Sequence, residues 1–260
     1  MMKENYEFFL RTALDAALKA GQIQRERFRR PKEITYKSAI DLVTDVDKKC
    51  EEIIVHHLRK NCPTIGILSE EGFSKNFSSP NLWIVDPLDG TTNYAHGYPC
   101  FSISIALQLE KELVIGVIHN PLTQESYTAT KKGGAFKNNQ PLCVSSVKRV
   151  ERALLCTGFP YDIGISERNN LREFTKVIRY AQGVRRDGSA ALDLCRVAEG
   201  VFDGFWELKL KPWDVAAGAL IIKEAGGMVT TFTGDPFSPF ADTIVGTNGL
   251  IHEEMLSLLQ

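Results

Sequence analysis

The run Trp83-Ile84-Val85-Asp86-Pro87-Leu88-Asp89-Gly90-Thr91-Thr92-Asn93 holds the densest group of residues able to do chemistry. An apolar strand ends in an aspartate, turns at a proline, gives a second aspartate three residues on and then meets Gly-Thr-Thr. Two carboxylates at the end of a strand, followed by the start of a short helix, suit a hard cation and a phosphate together. Carboxylate oxygens fit Mg²⁺, which keeps waters and takes a substrate phosphate as a further ligand. Gly90 permits close backbone approach, and the N–H groups of Gly90 and Thr91 can receive an anion. The same residues also fit a plain turn in which Asp86 and Asp89 cap backbone amides.

Three distant segments bear on that choice. Ile67-Leu68-Ser69-Glu70-Glu71-Gly72 again puts acids at the end of an apolar run, as a solvated loop would. Trp213-Asp214 follows Lys211-Pro212 and opens a helix, Val215 to Ala225, where an aspartate is either an N-cap or a ligand. Asp41 to Asp47 (Asp-Leu-Val-Thr-Asp-Val-Asp) sets acids at alternate positions, with Asp45 and Asp47 on one face of an extended stretch. Its pattern lacks the Gly and Glu of an EF-hand. Four acidic clusters at element ends, in one near-neutral chain, are enough for two or three divalent ions. In two-metal chemistry such ions sit ~3.5–4 Å apart, one activating water and one stabilising the leaving oxygen. No GxSxG, GxxxxGK[ST] or HExxH motif offers another apparatus. His56 and His57 share a helix, and His96, His119 and His252 stand alone; all five read as surface or core residues.

The elements that must position these groups are legible in outline. Phe9, Leu10, Ala13, Leu14, Ala17, Leu18 and Ile23 recur at helical intervals from about Lys3 to Arg29, before Arg29-Arg30-Pro31. The arginines there read as a solvated helix end. A second helix is expected from about Lys48 to Arg59. Strands are expected at 64–68, 82–86, 102–109, 113–118 and 127–130. After Val144 strands alternate with helices at about 166–180, 189–199, 213–225 and 249–259, with a strand at 203–208. Strands first and alternation later indicate an α/β layered fold with at least two sheets. Any boundary falls near 140–150, dividing residues 1–145 from 146–260.

With 260 residues, 43% hydrophobic and 24% charged, the chain has a globular composition, which excludes disordered and fibrous classes. Lys+Arg of 31 against Asp+Glu of 32 leaves a net charge of −1, so no global field draws it to nucleic acid or anionic membrane. Its apolar runs, such as Leu113 to Ile118, fall far short of the ~20 residues that span a bilayer. The N-terminus lacks an apolar secretory core. Six cysteines spread along the chain fit neither a zinc motif nor a disulfide scaffold. A cytoplasmic location is expected.

Taken together, Asp41 to Asp47, Ser69-Glu70-Glu71-Gly72, Trp83 to Pro99 and Arg185 to Gly227 resemble the inositol monophosphatase family of lithium-sensitive phosphatases, in its order and spacing. The resemblance implies an αβαβα layered sandwich, like that of fructose-1,6-bisphosphatase, and a Mg²⁺-dependent phosphomonoesterase acting on inositol 1-phosphate. It implies one Mg²⁺ on Glu70, Asp86 and the carbonyl of Leu88, a second on Asp86, Asp89 and Asp214, and a third, more hydrated, on Glu70; Mn²⁺ is an alternative ion. Thr91, paired with Asp47, would orient the attacking water. The amides of Gly90 and Thr91 would hold phosphate, and Glu207 would accept hydrogen bonds from hydroxyls. Gly188, Ser189 and Ala190, with Arg185, would form the far wall, and Asp89 and Asp214 would also face substrate. The first half would carry most metal ligands and the second Asp214 and the pocket, as one catalytic unit that dimerises with its copy.

Two positions depart from the family. Lys209 stands where relatives commonly carry Gly, a cation that would narrow the pocket or favour a second anionic group. Asp187 is an unexpected acid. Rival readings are fructose 1,6-bisphosphate, histidinol phosphate or a 3′-phosphoadenosine nucleotide as substrate, and a metal-dependent binding or regulatory role. An aspartyl-phosphate phosphatase is disfavoured, because two residues separate Asp86 from Asp89.

Overall fold

The computed structural model describes residues 2–30, 34–36, 42–75 and 79–260; Pro31 and Asp41 lie outside them. The chain opens with α1 (Met2–Arg27), a β1 (Ile34–Tyr36) and β2 (Leu42–Thr44) pair, and α2 (Asp45–Asn61). Eight strands then make one mixed sheet: β3 (Gly66–Ser69), β4 (Ser74–Lys75), β5 (Leu82–Asp89), β6 (Ser102–Leu109), β7 (Glu112–Asn120), β8 (Glu125–Thr130), β9 (Gly134–Lys137) and β10 (Gln140–Pro141). Their order is β10-β9-β8-β7-β6-β5-β3-β4, and α3 (Thr91–His96) joins β5 to β6.

The second half forms a five-stranded sheet of β11 (Leu154–Thr157), β12 (Gly183–Arg185), β13 (Gly204–Leu208), β14 (Met228–Thr230) and β15 (Thr243–Thr247), ordered β12-β11-β13-β15-β14. Its helices are α4 (Leu171–Val177), α5 (Ala190–Ala198), α6 (Pro212–Glu224) and α7 (His252–Leu259). The α4 helix is shorter than the 166–180 span expected from sequence. Residues 166–170 are instead drawn into side-chain-bonded turns, with Asn169 Oδ1 accepting from Leu171 N.

Three apolar clusters define five layers. One lies between α1, α2 and one face of the first sheet, where Ala13, Ala16, Ala17 and Ala20 are fully buried and let α1 sit close. The largest joins the other face of that sheet to α5, α6 and the second sheet. The third packs α7 on the outside of the second sheet. The layers therefore run α-β-α-β-α, as the resemblance implied. Burial on both sides explains two sequence features. Every residue of β5 is buried, so it reads as a continuous run rather than an alternation. Val215 to Ile222 is buried all round α6, as a helix between two sheets must be.

Candidate active site

The two aspartates of the Asp86 to Asn93 run gain a common direction from a break in β5. Asp86 pairs with Ser104 and Asp89 with Ser102, so three residues on β5 span two on β6. In a regular strand residues three apart face opposite ways; one extra residue returns both carboxylates to the same face. Pro87 occupies the break, where it has no N–H to lose, and its carbonyl accepts from the buried Gln24 Nε2 at 2.7 Å. Asp86 is 1% exposed and Oδ1 accepts from Leu88 N at 2.9 Å. Asp89 Oδ2 accepts from Ala191 N at 3.0 Å and from the hydroxyl of Ser189, the N-cap of α5. Thus the first sheet and the middle helix layer are joined through Asp89.

Glu70 follows β3, which runs parallel beside β5, with Glu70 N donating to Val85 O at 3.3 Å. Asp214 arrives from the second half. Lys211 rather than Asp214 is the N-cap of α6; Pro212 follows it in the first turn. Asp214 Oδ2 accepts from Lys211 N at 2.7 Å. Ser104 Oγ donates to Trp213 O at 3.0 Å and pins this turn to β6. Asp214 therefore caps its helix while lining the same cavity as Glu70, Asp86 and Asp89.

Asp45 and Asp47 do not share a strand face. Thr44 caps α2 there: its hydroxyl accepts from Val46 N at 3.2 Å, while Asp47 Oδ2 accepts from Thr44 N at 2.9 Å. These capping bonds turn the chain into a helix one residue after β2. Asp45 pairs with Arg27 at 2.8 Å, and Asp47 Oδ1 accepts from Thr91 Oγ1 at 3.1 Å. Thr91 Oγ1 also stands 2.9 Å from Leu88 O. At Gly90 φ is +88°, and a Cβ would lie 2.9 Å from Cys100 O, so only glycine fits this approach.

The cavity has a volume of about 520 Å³ and extends from these acids to Glu207 at the end of β13. Gly188, Ser189 and Ala190 line it, as do Leu88, Gly90 and Thr91. Arg185 is a correction. Its side chain is exposed, bonded to its own backbone neighbour Val184 O at 3.3 Å, and away from the cavity. Arg186, the next residue along the chain, lines it instead. Asp187 pairs with Arg196 at 3.2 Å and does not line the cavity. Of the lining residues that the sequence reading did not single out, two polar ones stand out beside Arg186. Asn93 Nδ2 donates to Cys100 O and Asp187 O, both at 2.8 Å, clamping the 187–188 turn against α3; its place in the motif was the available signal. Asp193, 2% exposed on α5, read as a helix residue with no local signal.

Burial dominates the electrostatics. It pushes the Asp86 carboxyl well above its ordinary range, and repulsion from Glu70, Asp89 and Asp214 adds to this. Asp214 is raised for the same reasons. Asp89 is raised to about 6 by burial, against hydrogen bonds from Ser189 and Ala191. Burial raises Asp47 to about 7 against the Thr44 bonds, and Glu207 to about 8 against the pull of Arg186. Among the described residues no Lys or Arg pairs with Asp86, Asp89 or Asp214, and no three acidic, His or Cys side chains are already gathered as a metal cage. Packed acids without a basic partner fit a site completed by cations, since buried charges are otherwise paired or neutralised. All-oxygen donors lining an open cavity suit an ion that keeps water ligands.

The inositol monophosphatase family model matches residues 5–260. The chain belongs to that family. An inositol-1-monophosphatase of Synechocystis is 41% identical over 253 residues, covering 96% of this chain and 88% of its own. A Pseudomonas aeruginosa protein named Nus factor SuhB is 42% identical over 258 residues, covering 96% and 95%. The solved inositol monophosphatase of Anabaena superposes with a TM-score of 0.90 at 39% identity, over 98% of this chain and 96% of that one. The αβαβα sandwich is thus the family's fold, and the chain is a phosphoric monoester hydrolase of a metal-dependent phosphatase family. Among the described residues no helix is long and apolar enough to cross a membrane.

Proposed function

We propose that this phosphatase hydrolyses inositol 1-phosphate to inositol and phosphate, with Mg²⁺ held by Glu70, Asp86, the Leu88 carbonyl, Asp89 and Asp214. The observation carrying this reading is that one cavity is lined by those acids, by Thr91, whose hydroxyl donates to Asp47, and by a further acid, Glu207. When bound, the cations supply charge neutralisation at the phosphate and make water a better nucleophile.

The chain's own residues supply position. Gly90 and Thr91 line the cavity at the start of α3, where the first N–H groups have no intrahelical acceptor and would hold phosphate oxygens. Thr91 Oγ1 already donates to Asp47, so its lone pairs orient the attacking water, and Asp47 receives the proton passed through that hydroxyl. Glu207 accepts from substrate hydroxyls. A Cβ at Gly158 would stand 2.3 Å from Glu207 Oε2, so the absence of a side chain at 158 is what leaves that carboxylate its place. The rest of the wall is Gly188, Ser189 and Ala190 at the start of α5. Residues 1–145 and 146–260 act as one catalytic unit, working as a homodimer in the cytoplasm.

A binding or regulatory role on the same scaffold has one observation in its favour, the name of the Pseudomonas relative. The deciding experiment is phosphate release with Mg²⁺ or EDTA, beside an Asp214→Asn control. The panel holds inositol 1-phosphate, fructose 1,6-bisphosphate, histidinol phosphate and a 3′-phosphoadenosine nucleotide. Turnover of inositol 1-phosphate that needs both Mg²⁺ and Asp214 is expected. Preference for another ester would reject the substrate assignment, and no turnover of any would favour the binding role.

A further inference from the structure

Most of the polar side chains that line the cavity with Glu207 already have partners within the protein. The Thr157 hydroxyl donates to Trp206 O and accepts from Asn170 Nδ2. Ser189 Oγ is bonded to Asp89, and Asn93 Nδ2 to the carbonyls of Cys100 and Asp187. The Lys209 ammonium, a free cation by sequence, is held by Asp162 Oδ2 and Ser166 Oγ, each at 2.7 Å, so it is not free to receive a second phosphate. Asp193 differs. It lines the same cavity, and its Oδ1 is shut off from solvent yet accepts from none of the described residues. A buried oxygen left without a donor weakens the fold, and in native structures such atoms are completed by water, an ion or a ligand.

The nearest candidate within the chain is already engaged. Arg196, one turn further along α5, pairs with Asp187 at 3.2 Å, and its charge acts on Asp193 less than those of Asp187, Glu207 and Asp89 do. The helix itself directs the carboxyl towards the cavity. Asp193 stands in the first turn of α5, and helical side chains lean towards the N-terminus of their helix, here the Gly188-Ser189-Ala190 wall. Glu207, arriving on β13, is near enough for the two carboxyls to repel each other. Burial, with that repulsion added, pushes the Asp193 carboxyl well above its ordinary range. A carboxyl that keeps its proton donates as well as accepts, as a hydroxyl does, so the two can pair in either direction.

We propose that Asp193 is a second substrate-binding acid, taking a ring hydroxyl of the polyol next to the one that Glu207 takes. This rests on the hydrolytic reading above. One carboxyl reads a single hydroxyl, whereas two in one subsite read a neighbouring pair. The pocket therefore favours phosphate esters that carry a vicinal diol over esters of simple alcohols.

The test compares wild type with Asp193→Ala, Asp193→Leu and Asp193→Asn, as full chains with Mg²⁺, on inositol 1-phosphate and 4-nitrophenyl phosphate. The second ester has a ring of similar size, no hydroxyl and an oxygen that leaves readily. The Ala and Leu variants should lower kcat/KM on inositol 1-phosphate about tenfold, as loss of one hydrogen bond does, and leave the other ester within about twofold. Asp193→Asn, which keeps an acceptor and a donor, should retain most of the selectivity. The ratio between the two esters does not depend on how much of a variant is folded, so lost stability alone cannot produce the shift. Equal losses on both esters, an unchanged ratio in the Ala and Leu variants, or failure of all three to fold would overturn the proposal and make Asp193 a structural acid. A wild type inactive on both esters would instead overturn the hydrolytic reading.

Discussion

Replacing Asp86 by Asn should make the metal-free protein more stable and the enzyme nearly inactive. Asn retains Oδ1, so the 2.9 Å bond from Leu88 N that shapes the β5 break survives. What disappears is a buried carboxyl that, with no basic partner, must either stay charged beside Glu70, Asp89 and Asp214 or take up a proton, each at a cost to the metal-free fold. Relief of an unpaired buried charge is worth about 1–3 kcal/mol. For a chain of this size that corresponds to a rise in Tm of about 2–9 °C in EDTA. Wild-type protein at a Mg²⁺ concentration near 100 times Kd should gain about 2.7 kcal/mol, or about 5–8 °C, and the variant should lose most of that gain. Losing the ligand proposed to be shared between two cations should lower kcat/KM by about 10³, or about 4 kcal/mol. Differential scanning fluorimetry in EDTA and in Mg²⁺, beside phosphate release, reads all three quantities. A variant less stable in EDTA that keeps its full Mg²⁺ shift would refute the reasoning, because Asp86 would then be a structural cap and not a ligand.

Two further outcomes are expected. Gly158→Ala places a Cβ 2.3 Å from Glu207 Oε2, so the carboxylate must leave its place; the variant should lose preference among hydroxylated esters as Glu207→Gln does, by about tenfold for one charged hydrogen bond. Equal preference in wild type and variant would remove Glu207 from recognition. His119, 3% exposed and bonded to Ser126 Oγ at 2.9 Å, is lowered to about 4 by burial. Its unfolded form titrates near 6.5, so between those values the unfolded chain binds a proton that the folded one does not. Stability should therefore fall with falling pH through this window, by about 2–3 kcal/mol at pH 4.5. Urea melts of wild type and His119→Gln at pH 7 and 4.5 isolate it, and an unchanged difference between the two proteins would show that the ring is not held neutral.

Local sequence determined much of this protein. The apolar runs of β5 and α6 gave a strand and a helix that the structure buries on both sides, and the acids at their ends gave the candidate ligands on which the proposed cation site rests. The Asp86 to Asn93 run carried its own turn chemistry, with Gly90 at φ +88°. Tertiary structure decided what spacing alone leaves open. Asp86 and Asp89 stand three apart, which in a plain strand means opposite faces; only pairing with Ser104 and Ser102 shows the extra residue that unites them. Asp45 and Asp47 alternate as strand residues do, but capping by Thr44 starts a helix there and turns Asp47 to Thr91, 44 positions away in the chain. Arg185 and Arg186 are equivalent by type, and the cavity admits the second. Lys209 reads as a free cation until the fold brings Asp162, 47 residues distant, within hydrogen-bonding reach. The physical reason is common to all four cases. A side chain's type is local, whereas its direction and its partner follow from pairing and packing with residues remote in sequence.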